Sequence, residues 1–169
     1  QTVHRLDMGT SGIMVVSKTP AATRSLSMQF QARQIEKGYK ALVHGRIDHD
    51  GLKLVTLIDR DPSDARKYRS VPSGGKEAVT EFRPVSLHGQ FSMLDIVILT
   101  GRTHQIRVHM SEIGHPVAGD VLYGFAEDPA PRLMLHAGCL SFRSPRTGDP
   151  LQFESELPRS FANYIEAIG

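Results

Sequence analysis

Two runs of β-forming residues joined by a short turn constrain the fold of this chain more than any other feature. AVTEFRPVSL at 78–87 and FSMLDIVILT at 91–100 are separated only by HGQ, which contains a glycine. Strands connected by so short a loop pair with each other as an antiparallel hairpin. A second pair, LMLHAGCLSF at 133–142 and LQFES at 151–155, flanks RSPRTGDP in the same way. The sequence therefore predicts a sheet built largely from antiparallel neighbours.

Three further segments complete the predicted sheet. IMVVS at 13–17 is a continuous apolar run, which predicts a buried strand. KGYKALVHGRI at 37–47 alternates its side chains with a period of two, which is a strand pattern. Residues 48–76 are polar and rich in Gly, Pro and charge. We interpret them as strand fragments within a long surface excursion that carries DARKYRS.

Helices are predicted at three places between these strands. Thr19 is a candidate N-cap, with Pro20 at the first helical position after it. Thr103 is the candidate cap of a second helix, which Gly114 would end. A third, short helix is expected after Pro158. Strands and hairpins mixed with a few flanking helices indicate the α+β class, with a mixed, largely antiparallel sheet.

Composition narrows the class of protein without identifying it. With 169 residues, of which 40% are hydrophobic and 22% charged, we expect one domain over 1–169 with a proper core. The sequence shows no apolar run that approaches bilayer length. Cys139 is the only cysteine, so a reducing cytoplasm is expected. A net charge of +2 and a pI near 8.8 permit an anionic partner such as RNA without requiring one.

The segment HRLDMGTSG contains the first candidate for chemistry. Asp7 directly precedes a small-residue turn that feeds the predicted strand, so its carboxylate is expected at a strand mouth. A partly desolvated carboxylate needs a cation to stay ionised, and Arg5 and Arg102 are the candidates. Paired in this way, Asp7 could act as a nucleophile or a base. The same pair could equally be a structural link between two loops.

Two other candidates each have a functional and a structural interpretation. Tyr39 could be a stacking platform for a base and a proton donor, or simply an aromatic on the face of a sheet. The cluster of Arg66, Lys67 and Arg69 around Tyr68 is compatible with phosphate contacts and stacking. It is equally compatible with a solvated loop.

The sequence favours neither a metal nor a nucleotide cofactor. His104, His109 and His115 are spaced five and six apart, which does not match a helical zinc site. The sequence lacks GxxxxGK[ST], GxGxxG after a strand, and the GxSxG nucleophile turn. A metal-dependent hydrolase built on the histidines is therefore the weakest of the function classes considered.

Several motifs, in order along nearly the whole chain, resemble the RluA-type pseudouridine synthases. HRLDMGTSGIMVVSK is similar to the catalytic motif of that family, and EKGYKALVHG to its second motif. TGRTHQIRVHM and GHPVAGDVLYG are similar to the third. The segment LMLHAGCLSFRSPRTGDPLQFESELP resembles the closing hairpin and tail of the family. The resemblance implies the pseudouridine synthase fold.

The resemblance also implies roles for individual residues. Asp7 would be the catalytic aspartate that isomerises uridine to pseudouridine, and Arg102 would pair with it. Tyr39 would stack on the target base and take part in proton transfer at carbon 5, while Ile106 would pack on the other side of the base. Arg5 would enter the RNA helix and hold the flipped nucleotide out.

For the protein as a whole, the resemblance implies a cofactor-free enzyme that acts on an rRNA or tRNA stem-loop. We expect a cytoplasmic monomer. The family carries a strand-rich segment before its catalytic motif, whereas only three residues precede His4 here, so the domain is expected to be N-terminally incomplete. The alternative function is an RNA-binding module without turnover, because the upstream strands would be missing.

Overall fold

The computed structural model describes residues 1–48 and 50–169. These residues form eight strands and three helices. The strands are β1 (Ser11–Gly12), β2 (Glu36–His44), β3 (Leu52–Arg60), β4 (Tyr68–Val71), β5 (Lys76–His88), β6 (Phe91–Ile98), β7 (Leu135–Arg143) and β8 (Pro150–Glu154). The helices are α1 (Pro20–Gln31), α2 (Gln105–Glu112) and α3 (Arg159–Ile168).

All the strands belong to one mixed sheet. Its order is β1-β7-β2-β6-β5-β3-β4, and β8 pairs with β7 outside that path. The β1–β7 pairing is parallel, whereas the other strand pairs are antiparallel. Both predicted hairpins are present as β5–β6 and β7–β8, with His88 opposite Phe91 at the first turn. The predicted α+β class with a largely antiparallel sheet is confirmed.

The main core lies where α2 and α3 cover the central strands. Leu42 on β2 and Leu94 on β6 are fully buried there, together with Met110 of α2 and Phe161 of α3. Burial of such side chains stabilises the fold by about 1.5–3 kcal/mol each. A second cluster, in which Leu26 is buried, packs α1 against β7. Packing on both clusters holds the central strands in place, so side chains at the ends of these strands have a rigid support.

The predicted helix after Pro158 is present, and α1 begins as expected. The Ala22 N–H donates to Thr19 Oγ1 over 3.2 Å, so Thr19 is the N-cap and Pro20 the first helical residue. None of the helices in the described part of the chain combines the length and apolar composition that a bilayer crossing requires.

The predicted strand over 13–17 is wrong, because the paired strand β1 ends at Gly12. Gly12 has a φ of +119°, and a Cβ at this position would lie 2.1 Å from Ala137 O. The backbone therefore packs directly on β7 here, and the Ile13 N–H still donates to Ala137 O over 2.9 Å. The regular pairing with β7 stops at this point. Farther along, the Val15 N–H donates to the His4 ring, and Val16 makes a single bridge with Thr2.

The start of α2 also differs from the prediction. His104, and not Thr103, is the N-cap residue, and it has a left-handed φ of 57° and no side-chain cap hydrogen bond. The Gln105 side chain turns back instead and accepts the N–H of Arg102 over 3.0 Å. Because this side chain closes the loop, Thr103 is not needed as a cap. Gly114 follows the helix with a positive φ, as predicted.

Residues 48–76 are more ordered than the predicted surface excursion. The nine-residue strand β3 pairs with β5 from Leu52 to Ile58, and β4 pairs with its second half. The connection between β3 and β4 is short and contains the first part of DARKYRS. Most side chains of β3 are exposed or half-buried, and such a strand gives a weak apolar signal, so the sequence pattern predicts only strand fragments. Residue 49 of this interval lies outside the described residues.

Candidate active site

A cleft of about 560 Å³ opens where the N-terminal segment, β2 and the loop between β6 and α2 meet. Five residues selected from the sequence line it, namely Arg5, Asp7, Tyr39, Arg102 and Ile106. The fold thus brings together side chains from three distant parts of the chain. Concave surfaces with a few convergent polar groups are the usual place for a binding or catalytic site.

A tight backbone turn holds Asp7 at this cleft. The Thr10 N–H donates to Asp7 O over 3.0 Å, and Gly9 supplies the positive φ of 88° that the turn needs. Arg132 Nη2 donates to Gly9 O over 2.6 Å and so ties the turn to the segment before β7. Glycine adopts this conformation without steric cost. The sequence DMGT is therefore the local reason that Asp7 has a fixed position.

The Asp7 carboxylate faces a buried arginine. Arg107 Nη1 lies 4.0 Å from Asp7 Oδ2, and the Arg107 side chain is only 5% exposed. Arg107 Nε and Nη2 donate to the two carboxylate oxygens of Asp120 over 2.7 and 2.8 Å. Burial opposes the charge of Arg107, but the hydrogen bonds to Asp120 and the charges of Asp120 and Asp7 raise its pKa above the ordinary value. The bidentate pair holds this guanidinium in one orientation beside Asp7.

This geometry corrects the predicted pairing of Asp7 with Arg102. Arg102 Nε donates to Glu77 O on β5 over 2.7 Å, so its side chain runs along that strand. Within residues 1–48 and 50–169, the ion pair of Asp7 is with Arg107. The reason is the loop conformation: Gln105 fixes the Arg102 backbone, and α2 begins late enough that Arg107 points at the Asp7 turn.

Arg107 is therefore the site residue that the sequence analysis did not select. The sequence does contain a signal for Arg107, because this residue lies on α2 between Ile106 and Val108, which are both apolar and buried. An arginine in such a position requires a buried carboxylate. Asp120, thirteen residues later in GDVLYG, provides it and is itself 1% exposed.

Tyr39 lies at a bulge that re-aims the strand. The register of β2 against β7 shifts between Gly38 and Tyr39, and bulges of this kind are common beside functional sites. Burial, followed by the negative charge of Asp7, raises the pKa of Tyr39 to about 12. Its phenol therefore keeps its proton at neutral pH. Ile106, which is 4% exposed, supplies apolar surface to the same cleft.

Aromatic contacts extend from the buried arginine to β4. The Tyr123 ring lies over Arg107, with the guanidinium carbon 5.1 Å from the ring centroid. The Tyr123 hydroxyl accepts the N–H of Tyr68 over 2.7 Å and lies 2.8 Å from His104 Nδ1. The left-handed His104 is thereby held by Tyr123 and the start of β4. These contacts link the site to the edge hairpin formed by β3 and β4.

The basic residues of that hairpin lie beside the cleft and are not among the residues that line it. Arg66, which is largely exposed, forms a two-pronged hydrogen bond with the half-buried Asp64. Lys67 Nζ stands 5.9 Å from the centroid of the Tyr123 ring. Arg69 is exposed on β4. The structure therefore places the predicted cluster next to the site and partly neutralises one of its three charges.

Tyr68 connects this hairpin to the mouth of the cleft. Its pKa is lowered by hydrogen bonds from Arg60 and Thr103 and by the charges of Arg60 and Arg5. Arg5 is exposed and lines the cleft. The charge of Arg5 at the cleft therefore lies close enough to the hairpin to act on Tyr68.

The arrangement offers one partly exposed carboxylate, one protonated phenol and an apolar wall. A carboxylate held beside a fixed guanidinium can attack an electrophilic carbon or accept a proton. Among the described residues, no group of three or more His, Cys, Asp or Glu side chains is placed to hold a metal ion.

Comparison with known proteins places these features in a family. The family model described as RNA pseudouridylate synthase matches residues 1–112. The chain is 42% identical over 178 residues to ribosomal large subunit pseudouridine synthase D of Neisseria meningitidis serogroup A, covering 98% of this chain and 47% of that protein. It is also 42% identical over 173 residues to an uncharacterized RNA pseudouridine synthase of Bacillus subtilis, covering 98% of this chain and 55% of that protein. The chain thus spans about half the length of these curated relatives.

Solved structures agree with this assignment. Human RNA pseudouridylate synthase domain containing 1 superposes with a TM-score of 0.86 at 32% identity, over 99% of this chain and 72% of that one. Human RNA pseudouridylate synthase domain containing 4, at 24% identity and a TM-score of 0.81, shows the same fold. The fold expected from the resemblance is confirmed.

The closeness of Asp7 to His104 can be tested by titration. Burial lowers the pKa of His104, and the negative charge of Asp7 opposes that shift. Asp7→Asn removes the opposing charge, so the pKa of His104 should fall further and its imidazolium should be lost at lower pH. NMR titration of the histidine Hε1 signals measures this. Asp149→Asn, in the β7–β8 turn, is the matched control and should leave His104 unchanged. An unaltered His104 titration in Asp7→Asn would contradict the geometry.

Proposed function

This chain belongs to the RNA pseudouridylate synthase family, and we propose that it isomerises uridine to pseudouridine in ribosomal or transfer RNA. The observation that carries the proposal is the carboxylate of Asp7, held in the cleft 4.0 Å from the buried guanidinium of Arg107 and close enough to Tyr39 to raise its pKa. Because a close relative is named a ribosomal large subunit synthase, large-subunit rRNA is the first substrate to test. The alternative of a binding module without turnover is less favoured, since it gives the Asp7 arrangement no role.

The reaction needs little beyond what the cleft contains. The bond between N1 of uracil and C1′ of ribose breaks, the uracil turns, and C5 bonds to C1′. C5 then loses its proton and N1 gains one, so atoms and electrons balance without an oxidant, a reductant or an external group. We therefore propose that the chain works without a cofactor.

Asp7 is the proposed catalytic residue. Its carboxylate can attack C1′ as the N1 bond breaks, or it can remove the C2′ proton to give a glycal. Both routes require an ionised carboxylate in a fixed orientation. Arg107 supplies the fixed positive charge, because Asp120 holds it from the other side. Arg107 is therefore proposed as the positioning partner of Asp7.

Tyr39 and Ile106 are proposed to enclose the flipped uracil. Base extrusion costs a few kcal/mol of lost stacking, and stacking on an aromatic side chain returns about 1–3 kcal/mol. Tyr39 provides that ring and Ile106 an apolar surface in the same cleft. Tyr39 is also proposed to take part in proton transfer at C5. Because its pKa is about 12, the phenol is protonated at neutral pH, so it accepts the C5 proton as it passes its own proton to N1 or to solvent.

The RNA backbone is proposed to lie along the basic surface outside the cleft. Arg5, exposed at the mouth, would enter the RNA helix and hold the flipped nucleotide out. Arg66, Lys67 and Arg69 would contact phosphates of the surrounding stem-loop. We further propose that residues 1–169 act as one catalytic domain and that the protein is a cytoplasmic monomer.

Tritium release from RNA labelled at C5 of uridine tests the activity directly. Rates would be measured on large-subunit rRNA and on total tRNA transcripts separately. Asp7→Asn should abolish release while RNA affinity stays nearly unchanged, because the substitution removes the reactive oxygen charge and keeps the shape. Asp149→Asn, exposed in the β7–β8 turn, should release tritium at the unchanged rate. Release that persists in Asp7→Asn would rule out the proposed catalytic role.

A matched pair of arginine substitutions tests which cation serves Asp7. Arg107→Lys keeps the charge but loses the bidentate geometry with Asp120, so the partner of Asp7 is misplaced and kcat should fall on the order of 100-fold. Arg102→Lys should leave kcat within about threefold of the unchanged protein. Single-turnover tritium release with saturating enzyme measures the rate of the isomerisation apart from RNA binding. Equal losses in the two variants would contradict the assignment of Arg107.

The salt dependence of RNA binding tests the proposed role of the basic hairpin. Replacing Arg66, Lys67 and Arg69 together with Gln should weaken RNA binding and reduce the slope of log Kd against log salt by about 2, since Arg66 is already paired with Asp64. A control that replaces Lys53, Arg146 and Arg159 with Gln removes the same charge from exposed positions outside the cleft. If both triple variants change the slope equally, the hairpin acts only through net charge.

A further inference from the structure

Three cations gather on one wall of the cleft, away from the Arg107 pair. Arg33 follows the end of α1, Lys37 lies near the start of β2, and Arg102 lies on the loop between β6 and α2. All three are among the residues that line the cleft. The mechanism proposed above uses none of them.

Their contacts leave this wall with an excess of positive charge. Arg33 Nη2 pairs with Glu77 Oε1 over 2.9 Å. Lys37 Nζ donates to Thr100 O over 3.1 Å, and Arg102 Nε donates to Glu77 O over 2.7 Å. Both acceptors are neutral backbone carbonyls. In the part of the chain that the structure describes, neither Lys37 nor Arg102 has a carboxylate within 4.0 Å.

Lys37 shows the electrostatic consequence of this crowding. Burial, followed by the charges of Arg102 and Arg33, lowers the pKa of Lys37 to about 8. The charges that act on Lys37 are those of Arg102 before α2 and Arg33 after α1, and Arg33 is itself paired with Glu77 on β5. His4 of the N-terminal segment is also near, because burial and then the charge of Lys37 lower the pKa of His4. An anion placed between the cations would relieve their mutual repulsion.

The backbone also holds Arg33 in an uncommon conformation. Its φ is +56°, one of two positive values found for non-glycine residues in the described chain. Such a conformation is unfavourable for a residue that has a Cβ, and it persists only where the surrounding structure supports it. The Arg33 N–H donates to Phe30 O over 3.2 Å, which fixes the turn after α1 and directs the side chain to the cleft.

We propose that Arg33, Lys37 and Arg102 form a subsite that binds a backbone phosphodiester of the RNA beside the uridine in the cleft. The inference rests on the proposed function, since a uridine that enters the cleft brings its own phosphates to the same walls. Two guanidinium forks and one ammonium suit a tetrahedral anion, because each can donate charge-assisted hydrogen bonds. Arg102 thus acquires a role in substrate binding in place of the predicted pairing with Asp7.

The probe that tests the subsite is the trinucleotide UpUpU, compared with its analogue in which both phosphates are neutral methylphosphonates. The unchanged protein should bind UpUpU more tightly than the analogue, on the order of tenfold. Lys37→Met, which keeps the length and loses the charge, should bind the two nearly equally. Arg102→Met should show the same loss of preference. Lys53→Met, exposed on β3 and outside the cleft, is the control that should keep the full preference.

A second readout follows the lysine itself. With ¹³C-labelled lysine, the Cε signal of Lys37 reports its titration, and UpUpU should raise its pKa from about 8 while the methylphosphonate analogue leaves it in place. Thermal unfolding of each variant confirms that the substitution has not simply disrupted the fold. A variant that fails this control is replaced by Lys37→Gln.

The outcomes separate the subsite from the isomerase activity. A preference for phosphodiester that is equal in the unchanged protein and in Lys37→Met would overturn the subsite, even where Asp7-dependent tritium release occurs. If inorganic phosphate raises the pKa of Lys37 and UpUpU does not, the subsite proposal is also overturned, because the cations would then bind free anions only. A Lys37-dependent preference without any tritium release would instead support the subsite and count against the proposed reaction.

Discussion

The structure of the site depends on one buried guanidinium. Arg107 is removed from water, which is costly for a charge, and the bidentate contact with Asp120 offsets that cost. The same pair joins α2 to the segment that carries Tyr123, whose ring lies over the guanidinium. Because these contacts use the other nitrogens, Nη1 is the nitrogen nearest Asp7. One arginine side chain therefore both stabilises the fold, through Asp120, and faces Asp7 at the site.

The sheet decides which side chains share the cleft. β7 holds the N-terminal segment through the close approach of Gly12 to Ala137, and it also borders β2, which carries Tyr39. The loop after β6 brings Arg102 to the same cleft, where it lies near Lys37 and Arg33. The cleft therefore contains the Asp7 carboxylate and a separate group of cations, of which Arg33 is paired with a carboxylate.

Much of the fold could be predicted from local patterns. The β5–β6 hairpin is specified by two apolar runs and a glycine turn, and the start of α1 by Thr19 and Pro20, because these signals act within a few residues. Asp7 and Tyr39 were also selected, since their motifs are contiguous. The failed predictions concern segments in which a distant side chain decides the local conformation. Gln105 closes the loop before α2, and the backbone contact at Gly12 ends β1.

The sequence by itself determined the α+β class, the two hairpins, the family and five of the residues that line the cleft. Tertiary structure alone decided which cation stands beside Asp7. Arg102 and Arg107 lie in one motif and differ by little in sequence, but a carboxylate buried thirteen residues beyond Arg107 selects it as the partner. Ion pairing depends on distance and burial in space, which local sequence does not encode. For the same reason only the folded chain shows that Arg102 lies close to Lys37 in the cleft.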